Sequence, residues 1–139
     1  RLVLRGEGAW AETSGGSTRD LRVAAPADVA QMAGTASWYT AEEPLRSRIA
    51  NGLHRTRAAF AYRCAAYEYR LIVDGHLHFG LHSKLMPWDH AAGELIHREA
   101  GGYAARFDGS AYRPSQRAGG ILLAPDRDSW HDLHAALIA

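Results

Sequence analysis

Cysteine is nearly missing from this chain of 139 residues, because Cys64 is the only one. A single cysteine excludes an internal disulfide framework and is typical of proteins in a reducing compartment. No apolar run reaches the ~18 residues that a membrane-spanning helix needs, and no secretory signal pattern opens the sequence. These absences predict a cytoplasmic protein with no membrane partner.

An excess of charge of one sign is also missing. Sixteen Lys and Arg against fifteen Asp and Glu give a formal net charge of +1, so nucleic acid is not expected as a partner. Hydrophobic residues make up 47% and charged residues 22% of the chain, a balance that excludes a disordered chain. The length allows one core and not two, which predicts a single domain over residues 1–139.

Strand and helix patterns alternate along the chain. Strands are predicted over residues 1–5, 9–10, 21–23, 76–81, 103–107 and 121–124. Helices are predicted from a capping box at 40–43 to Gly52, over most of 58–73, over 88–100, and after a cap at Asp128, with a helical turn in 28–33. Strands that alternate with helices indicate an α/β domain of layered sheet and helices.

The segment Pro87–Gly93 (PWDHAAG) carries the strongest chemical signal. Asp89 lies in the first turn of the predicted helix, where free backbone N–H groups and the helix dipole favour a carboxylate. Such a carboxylate is a good ligand for Mg²⁺, which binds oxygen. The residues alone leave two interpretations open, a metal ligand and a helix cap, and caps are the commoner case. Trp88 is expected to wedge into the core.

Histidine and cysteine offer weaker signals. His76 and His78 share one strand face and could seed a zinc or copper site, but no cysteine pair completes it, which favours a polar strand face. His90 and His97 share a helix face; His90, beside Asp89, could orient a water molecule, but an exposed side chain is the favoured interpretation. Cys64 could act as a nucleophile only with a positioned base and a lowered pKa, so a small packing residue is the favoured interpretation.

Pro87–Gly93, followed by Glu99–Gly102 (EAGG), resembles the second signature of the inositol monophosphatase family of Mg²⁺-dependent phosphomonoesterases. Further stretches resemble the family in the same order: 4–10, 64–66, 74–77, 108–109 and 119–124. The resemblance spans nearly the whole chain. It implies the C-terminal half of the family's αβαβα fold, Mg²⁺ as cofactor and a small phosphorylated substrate.

Two family segments are missing from this sequence. The first half of family members carries a Gly-Glu-Glu and an Asp-Pro-Ile-Asp-Gly-Thr segment, which supply most metal ligands and the groups that activate water. Neither occurs here, and the chain opens with Arg1 rather than Met. We therefore expect the C-terminal domain alone, with no catalytic residue of its own and no activity as a fragment. The missing half is its expected partner, and the resemblance implies a homodimer.

The resemblance also implies the site residues. Asp89 matches the family's metal-ligand aspartate, and Ala65 matches a position whose backbone lies near the substrate. His82 stands where a glutamate often bonds a substrate hydroxyl. Cys64 and Lys84 complete the expected substrate-binding set. Lys84 is close to the site in sequence and could meet a phosphate as a point charge, although such a lysine is more often only solvated. Arg63 replaces a family glycine. Because His82 and Arg63 depart from the family pattern, the substrate stays open between inositol phosphate and a related sugar, nucleotide or histidinol phosphate.

A function of another class is the rival hypothesis. The domain could persist as a non-catalytic binding or assembly module, with its cleft-facing surface covered by a partner. If the first half is absent, the face that meets it should expose apolar side chains near Leu81, Leu85 and Trp88.

Overall fold

The computed structural model describes residues 2–4, as backbone, and residues 6–139. Within these residues the strands are β1 (Leu2–Leu4), β2 (Gly8–Glu12), β3 (Thr18–Asp20), β4 (Ala33–Ser37), β5 (Ala58–Phe60), β6 (Phe79–His82), β7 (Tyr103–Arg106) and β8 (Ile121–Ala124). The α-helices are α1 (Leu45–Gly52), α2 (Ala65–Val73), α3 (Pro87–Glu99) and α4 (Arg127–Leu137). No helix in this described part has both the length and the apolar character that a membrane crossing requires.

A five-stranded mixed sheet forms the centre, in the order β5-β4-β6-β8-β7. Strand β4 runs parallel to both β5 and β6, whereas β8 runs antiparallel to β6 and β7. The carboxyl ends of β4, β5 and β6 therefore meet at one edge of the sheet. In open α/β sheets, ligands bind outside that edge.

Helices cover both faces of this sheet, which confirms the predicted layered α/β fold. Alternate residues of β8 face opposite layers: Leu122 joins a core with Trp130 and Leu133 of α4. Leu123 joins a second core with Tyr69 of α2. All four residues of β8 are buried, as expected for a central apolar strand.

A three-stranded antiparallel sheet, β1-β2-β3, packs at the end of α3. The Glu99 carboxylate accepts hydrogen bonds from the backbone N–H groups of Gly6, at 2.9 Å, and Gly8, at 3.1 Å. Gly6 and Gly8 both have positive φ angles, which glycine adopts at little cost. The last turn of α3 thereby holds the β1–β2 turn in place.

Several predicted elements are confirmed with small shifts in their bounds. The helices predicted up to Gly52 and over 88–100, and the strand over 121–124, are α1, α3 and β8. Helix α4 is also present, but its cap is Asp126, whose carboxylate accepts from the Ser129 N–H at 2.8 Å, and not Asp128. The strand predicted over 1–5 is β1, although Arg1 and Arg5 lie outside the described residues.

The single helix predicted over 58–73 is wrong, because the structure divides it into β5 and α2. Arg63 lies between them with φ 58, a left-handed conformation that no helix tolerates. The predicted capping box is also wrong: the Thr40 hydroxyl donates to the Ser37 carbonyl at 3.3 Å, and Pro44 precedes α1. The strand predicted over 21–23 is replaced by β3, and β4 was not predicted.

Burial of individual residues departs from the sequence prediction at the start of α3. Leu81 and Leu85 are fully buried, so the expected exposed apolar face does not include them. Trp88 is 73% exposed and does not enter the core. Its ring lies 5.9 Å from the Arg117 guanidinium, a cation–π arrangement on the surface.

The packing of α2 against α3 generates a stability prediction. A β-carbon at Gly93 would overlap the Tyr69 ring, which is buried in the second core. We expect Gly93→Ala to lower the free energy of unfolding by about 1–2 kcal/mol, since overpacking outweighs the better helix propensity of alanine. Urea denaturation measures the change. Gly15→Ala, where the nearest atom is 3.8 Å away, should leave stability unchanged, and an equal loss in both variants would contradict this account.

The buried His97 makes the stability of the fold depend on pH. It is fully buried, neither ring nitrogen has a hydrogen bond of good geometry, and burial lowers its pKa to about 4, against a weaker opposing effect of the Ala124 backbone. The unfolded chain therefore takes up the proton first as pH falls from 6.5, which favours unfolding by up to about 3 kcal/mol near pH 4. His97→Leu should flatten the pH dependence of stability in this window. The exposed His76→Gln should not change it, and an unchanged slope in His97→Leu would contradict the assignment.

Candidate active site

A cleft of about 420 Å³ opens at the carboxyl ends of β4 and β6. All five residues predicted for the metal and substrate site line it: Cys64, Ala65, His82, Lys84 and Asp89. The other lining residues are Ser37, Tyr39, Thr40, Arg63, Ala66, Glu68 and His90. The sequence prediction therefore selected residues that the fold brings together, although they come from three separate segments.

The N-terminus of α2 forms one wall. Cys64 is the N-cap residue, with extended backbone, and its side chain makes no cap hydrogen bond within the described part of the chain. The first N–H groups of α2 thus lie at the cleft without a capping side chain, an arrangement that favours anions. Cys64 is exposed, so the prediction of a packing residue is wrong.

The N-terminus of α3 forms a second wall. Pro87 occupies the first turn, Met86 is the N-cap, and no side chain caps this helix either. Asp89 is exposed in the same turn. A helix-cap role for Asp89 therefore has no hydrogen bond to support it.

Asp89 suits a hard cation through its exposed carboxylate oxygens. Among the residues that the structure describes, however, no group of three or more His, Cys, Asp or Glu side chains could hold a metal ion. Among the described residues of the cleft, Asp89 is the exposed carboxylate, and a full coordination shell for Mg²⁺ would need further ligands.

His82 forms part of the floor and is 4% exposed. Its ring stacks on Tyr69 at a centroid distance of 5.6 Å and lies 4.8 Å from the ring of His90. Burial, with a smaller contribution from His90, lowers the pKa of His82 to about 3. His82 is therefore neutral at physiological pH and meets a ligand as an uncharged group.

His90 lies beside it and is 2% exposed, so the predicted exposure is wrong. Its Nε2 donates to the Lys84 carbonyl at 2.9 Å, because a carbonyl only accepts. Nδ1 is then the lone-pair nitrogen and accepts from the Tyr69 hydroxyl at 3.2 Å. The two bonds hold the segment from Lys84 to His90 against α2, which places Asp89 at the cleft.

Glu68 is a buried side chain of the cleft that sequence reasoning missed. It is 3% exposed, and its Oε1 accepts from the Tyr62 N–H at 2.9 Å. Burial raises its pKa, opposed by the backbone N–H groups of Tyr62 and Arg63. The available signal was helical spacing, since Glu68 lies four residues before the buried Ile72 and so on the same face of α2.

Two cationic side chains stand at the rim. The Arg63 guanidinium lies 4.9 Å from the centre of the Tyr39 ring, and Lys84 is exposed and also lines the cleft. In the described part of the chain, neither Arg63 nor Lys84 forms an ion pair. Both charges are thus available to an anionic ligand.

Known proteins share this architecture. An inositol monophosphatase from Zymomonas mobilis superposes with a TM-score of 0.78 at 16% identity, over 92% of this chain and 52% of its own. A staphylococcal IMPase-II with inositol monophosphate bound gives a TM-score of 0.76 at 23% identity, over 96% and 49%. The same staphylococcal protein has been solved with 2′AMP bound. Likenesses at these identities show a common fold.

Sequence similarity gives the family. The Nus factor SuhB of Haemophilus influenzae is 42% identical over 74 residues, which are 52% of this chain and 24% of that protein. The chain spans about half the length of the solved structures that it matches. The family model of inositol monophosphatases matches residues 3–139. This chain therefore belongs to the inositol monophosphatase family.

Proposed function

We propose that this chain is the C-terminal domain of a Mg²⁺-dependent phosphatase that hydrolyses a small phosphate monoester. The observation that carries the proposal is the meeting of two uncapped helix N-termini, the Asp89 carboxylate and two unpaired cations at one cleft. Inositol phosphate and a related sugar, nucleotide or histidinol phosphate are the candidate substrates. The staphylococcal neighbour, with its bound inositol monophosphate and 2′AMP, supports this range.

The N-terminus of α2 is the proposed phosphate site. The first backbone N–H groups of α2, which begins at Ala65 after Cys64, lack carbonyl partners within the helix, and the dipole favours the anion. Lys84 would add a point charge from the rim. His82 would contact a hydroxyl of the substrate beside the phosphate, as a neutral partner.

Asp89 is the proposed metal ligand from this domain. Bound Mg²⁺ would supply Lewis acidity and charge neutralisation at the phosphate. His90, held by Tyr69 and the Lys84 carbonyl, would keep the start of α3 in register with α2. The remaining ligands and the groups that activate water would come from an N-terminal domain, so the 139 residues alone would be inactive.

The setting of the enzyme is also part of the proposal. A lone, exposed Cys64 supports a reducing, cytoplasmic environment. The family resemblance supports a homodimer, in which each protomer carries its own N-terminal half.

A non-catalytic binding module is the second candidate, because the described residues contain no group of three or more ligand side chains that could hold a metal ion. It predicts that the complete protein binds phosphate esters without turnover. Assaying the protein with its N-terminal half against phosphomonoesters, with and without Mg²⁺, separates the two candidates.

Asp89→Asn tests the metal role in the protein with its N-terminal half present. Asparagine preserves size and capping ability but removes the charge that a hard cation needs. We expect kcat to fall at least about a hundredfold with an unchanged melting temperature, and partial rescue at higher Mg²⁺. Asp128→Asn, in the first turn of α4, is the matched control and should be silent. Near-normal activity of Asp89→Asn would refute the metal role.

Arg63→Gly tests whether the strained cation serves ligand binding. Glycine adopts φ 58 without the strain of a β-carbon, so we expect stability to rise by about 1 kcal/mol. The lost charge should raise KM about fivefold, equivalent to about 1 kcal/mol at an exposed site. Arg63→Lys keeps both charge and strain and should change neither quantity much. Higher stability with an unaltered KM would show that Arg63 has no role in binding.

A further inference from the structure

The segment over residues 44–67 concentrates positive charge. It contains no Asp or Glu, and it holds five of the sixteen basic residues of the chain: Arg46, Arg48, Arg55, Arg57 and Arg63. All five are exposed. Arg46 pairs with Glu43 at 2.9 Å, whereas the other four form no ion pair within the described part of the chain. The net charge of +1, from which no nucleic-acid partner is expected, therefore conceals a strongly positive surface.

An exposed aromatic cluster lies in the same segment. Phe60, Tyr62 and Tyr67 are 44%, 45% and 44% exposed, respectively. The rings of Phe60 and Tyr62 stack at a centroid distance of 6.0 Å, and the Tyr67 ring meets that of Tyr62 edge-on at 5.2 Å. None of the three belongs to a hydrophobic core of the described residues. The rings thus hold one another in place and still offer flat faces to a ligand.

Residues 55–63, with Tyr67 of α2, form a surface at the free edge of the central sheet, which we name the β5 edge. Strand β5 pairs with β4 on one side, and no other strand of the described part pairs with it. The Arg57 N–H continues this pairing by donating to the Met32 carbonyl at 2.9 Å. Alternate side chains of a strand lie on opposite faces. Phe60 shares the face of Ala58, which packs beside α2, so Arg57 lies on the other face.

The chemistry of the β5 edge favours a polyanion that carries flat aromatic groups. Arginine binds phosphate through a planar fork of donors, and unpaired bases stack on exposed aromatic rings. The bases of a duplex stack on one another and would leave the three rings without a partner. A two-fold contact between copies of this chain would repeat the same patch on both sides, and its unpaired arginines would repel one another.

We propose that the β5 edge binds single-stranded nucleic acid, with phosphates on the arginines and bases stacked on Phe60, Tyr62 and Tyr67. An extended chain over the six steps from Arg57 to Arg63 reaches at most about 20 Å, and sites for single strands cover about four nucleotides or more. The surface is thus long enough for a short strand. Neither Asp89 nor a metal takes part, so this binding does not depend on the proposed function.

The charge contribution is tested on the protein with its N-terminal half, by fluorescence anisotropy of a labelled DNA strand of about twelve nucleotides without Mg²⁺. Four unpaired arginines predict that the logarithm of the association constant falls with the logarithm of salt concentration with a slope of about −3. The double variant Arg55→Gln with Arg57→Gln should make the slope shallower by about 1.4. The matched control, Arg113→Gln with Arg127→Gln, removes two exposed arginines elsewhere and should leave it unchanged. Equal changes in both variants, or no binding at low salt, overturn the proposal.

The stacking contribution is tested with an abasic strand of the same length, which keeps the phosphates and lacks the bases. We expect the wild type to bind it at least about fivefold more weakly. Tyr62→Leu should weaken binding of the normal strand by a similar factor without changing the salt slope, whereas Tyr62→Phe keeps the ring and should bind as the wild type. Equal affinity of the wild type for the two strands, or tighter binding of a duplex, overturns the assignment to single strands even if a variant does not fold.

Sedimentation of the same proteins distinguishes nucleic acid from a second copy as the occupant. Loss of oligonucleotide affinity in Tyr62→Leu with an unchanged oligomeric state supports the proposal. A wild type that binds no oligonucleotide, together with a dimer that Tyr62→Leu dissociates, assigns the β5 edge to contact between copies and overturns the proposal.

Discussion

The close approach of α2 and α3, made by the Tyr69 ring lying on Gly93, determines the geometry of the whole cleft. No side chain at position 93 fits beneath that ring, so the helices are held at one separation. The same tyrosine stacks on His82 and donates its hydroxyl to His90. One aromatic side chain thus connects the apolar core beneath the sheet edge to the polar floor of the site.

Burial determines which side chains of the cleft are neutral and which are charged. The imidazoles of the floor, His82 and His90, have their pKa values lowered chiefly by burial and remain neutral. Arg63, Lys84 and Asp89 are exposed at the rim, where water solvates their charges. A phosphate ester would therefore meet its charged contacts at the rim and helix ends, and a neutral partner at the floor. That division suits a ligand with an anionic end and a hydroxylated body.

Sequence reasoning recovered the elements with strong local signals and missed those set by tertiary contacts. Helix α3 and strand β8 have clear hydrophobic patterns with turn residues at their ends. Strand β4 (AGTAS) consists of small residues, and only the neighbouring elements bury them. The alanine-rich run 58–73 looks continuous because nothing local shows that Arg63 adopts φ 58.

The prediction of the site residues shows the same difference between local sequence signals and tertiary contacts. The family resemblance selected Asp89, His82 and Ala65, and Lys84 was added because it is close to them in sequence. The burial of His90 and Glu68 depends instead on packing between helices. Trp88 illustrates the converse error. Its size suggested a core position, although it follows Pro87 at a helix start that faces solvent.

The most direct test of the account is a crystal structure of the protein with its N-terminal half, grown with Mn²⁺ in place of Mg²⁺ and with phosphate. We expect an anomalous manganese peak within about 2.3 Å of an Asp89 carboxylate oxygen, with phosphate between that ion and the first N–H groups of α2. Manganese bound away from Asp89, or phosphate bound outside this cleft, would contradict the central claim.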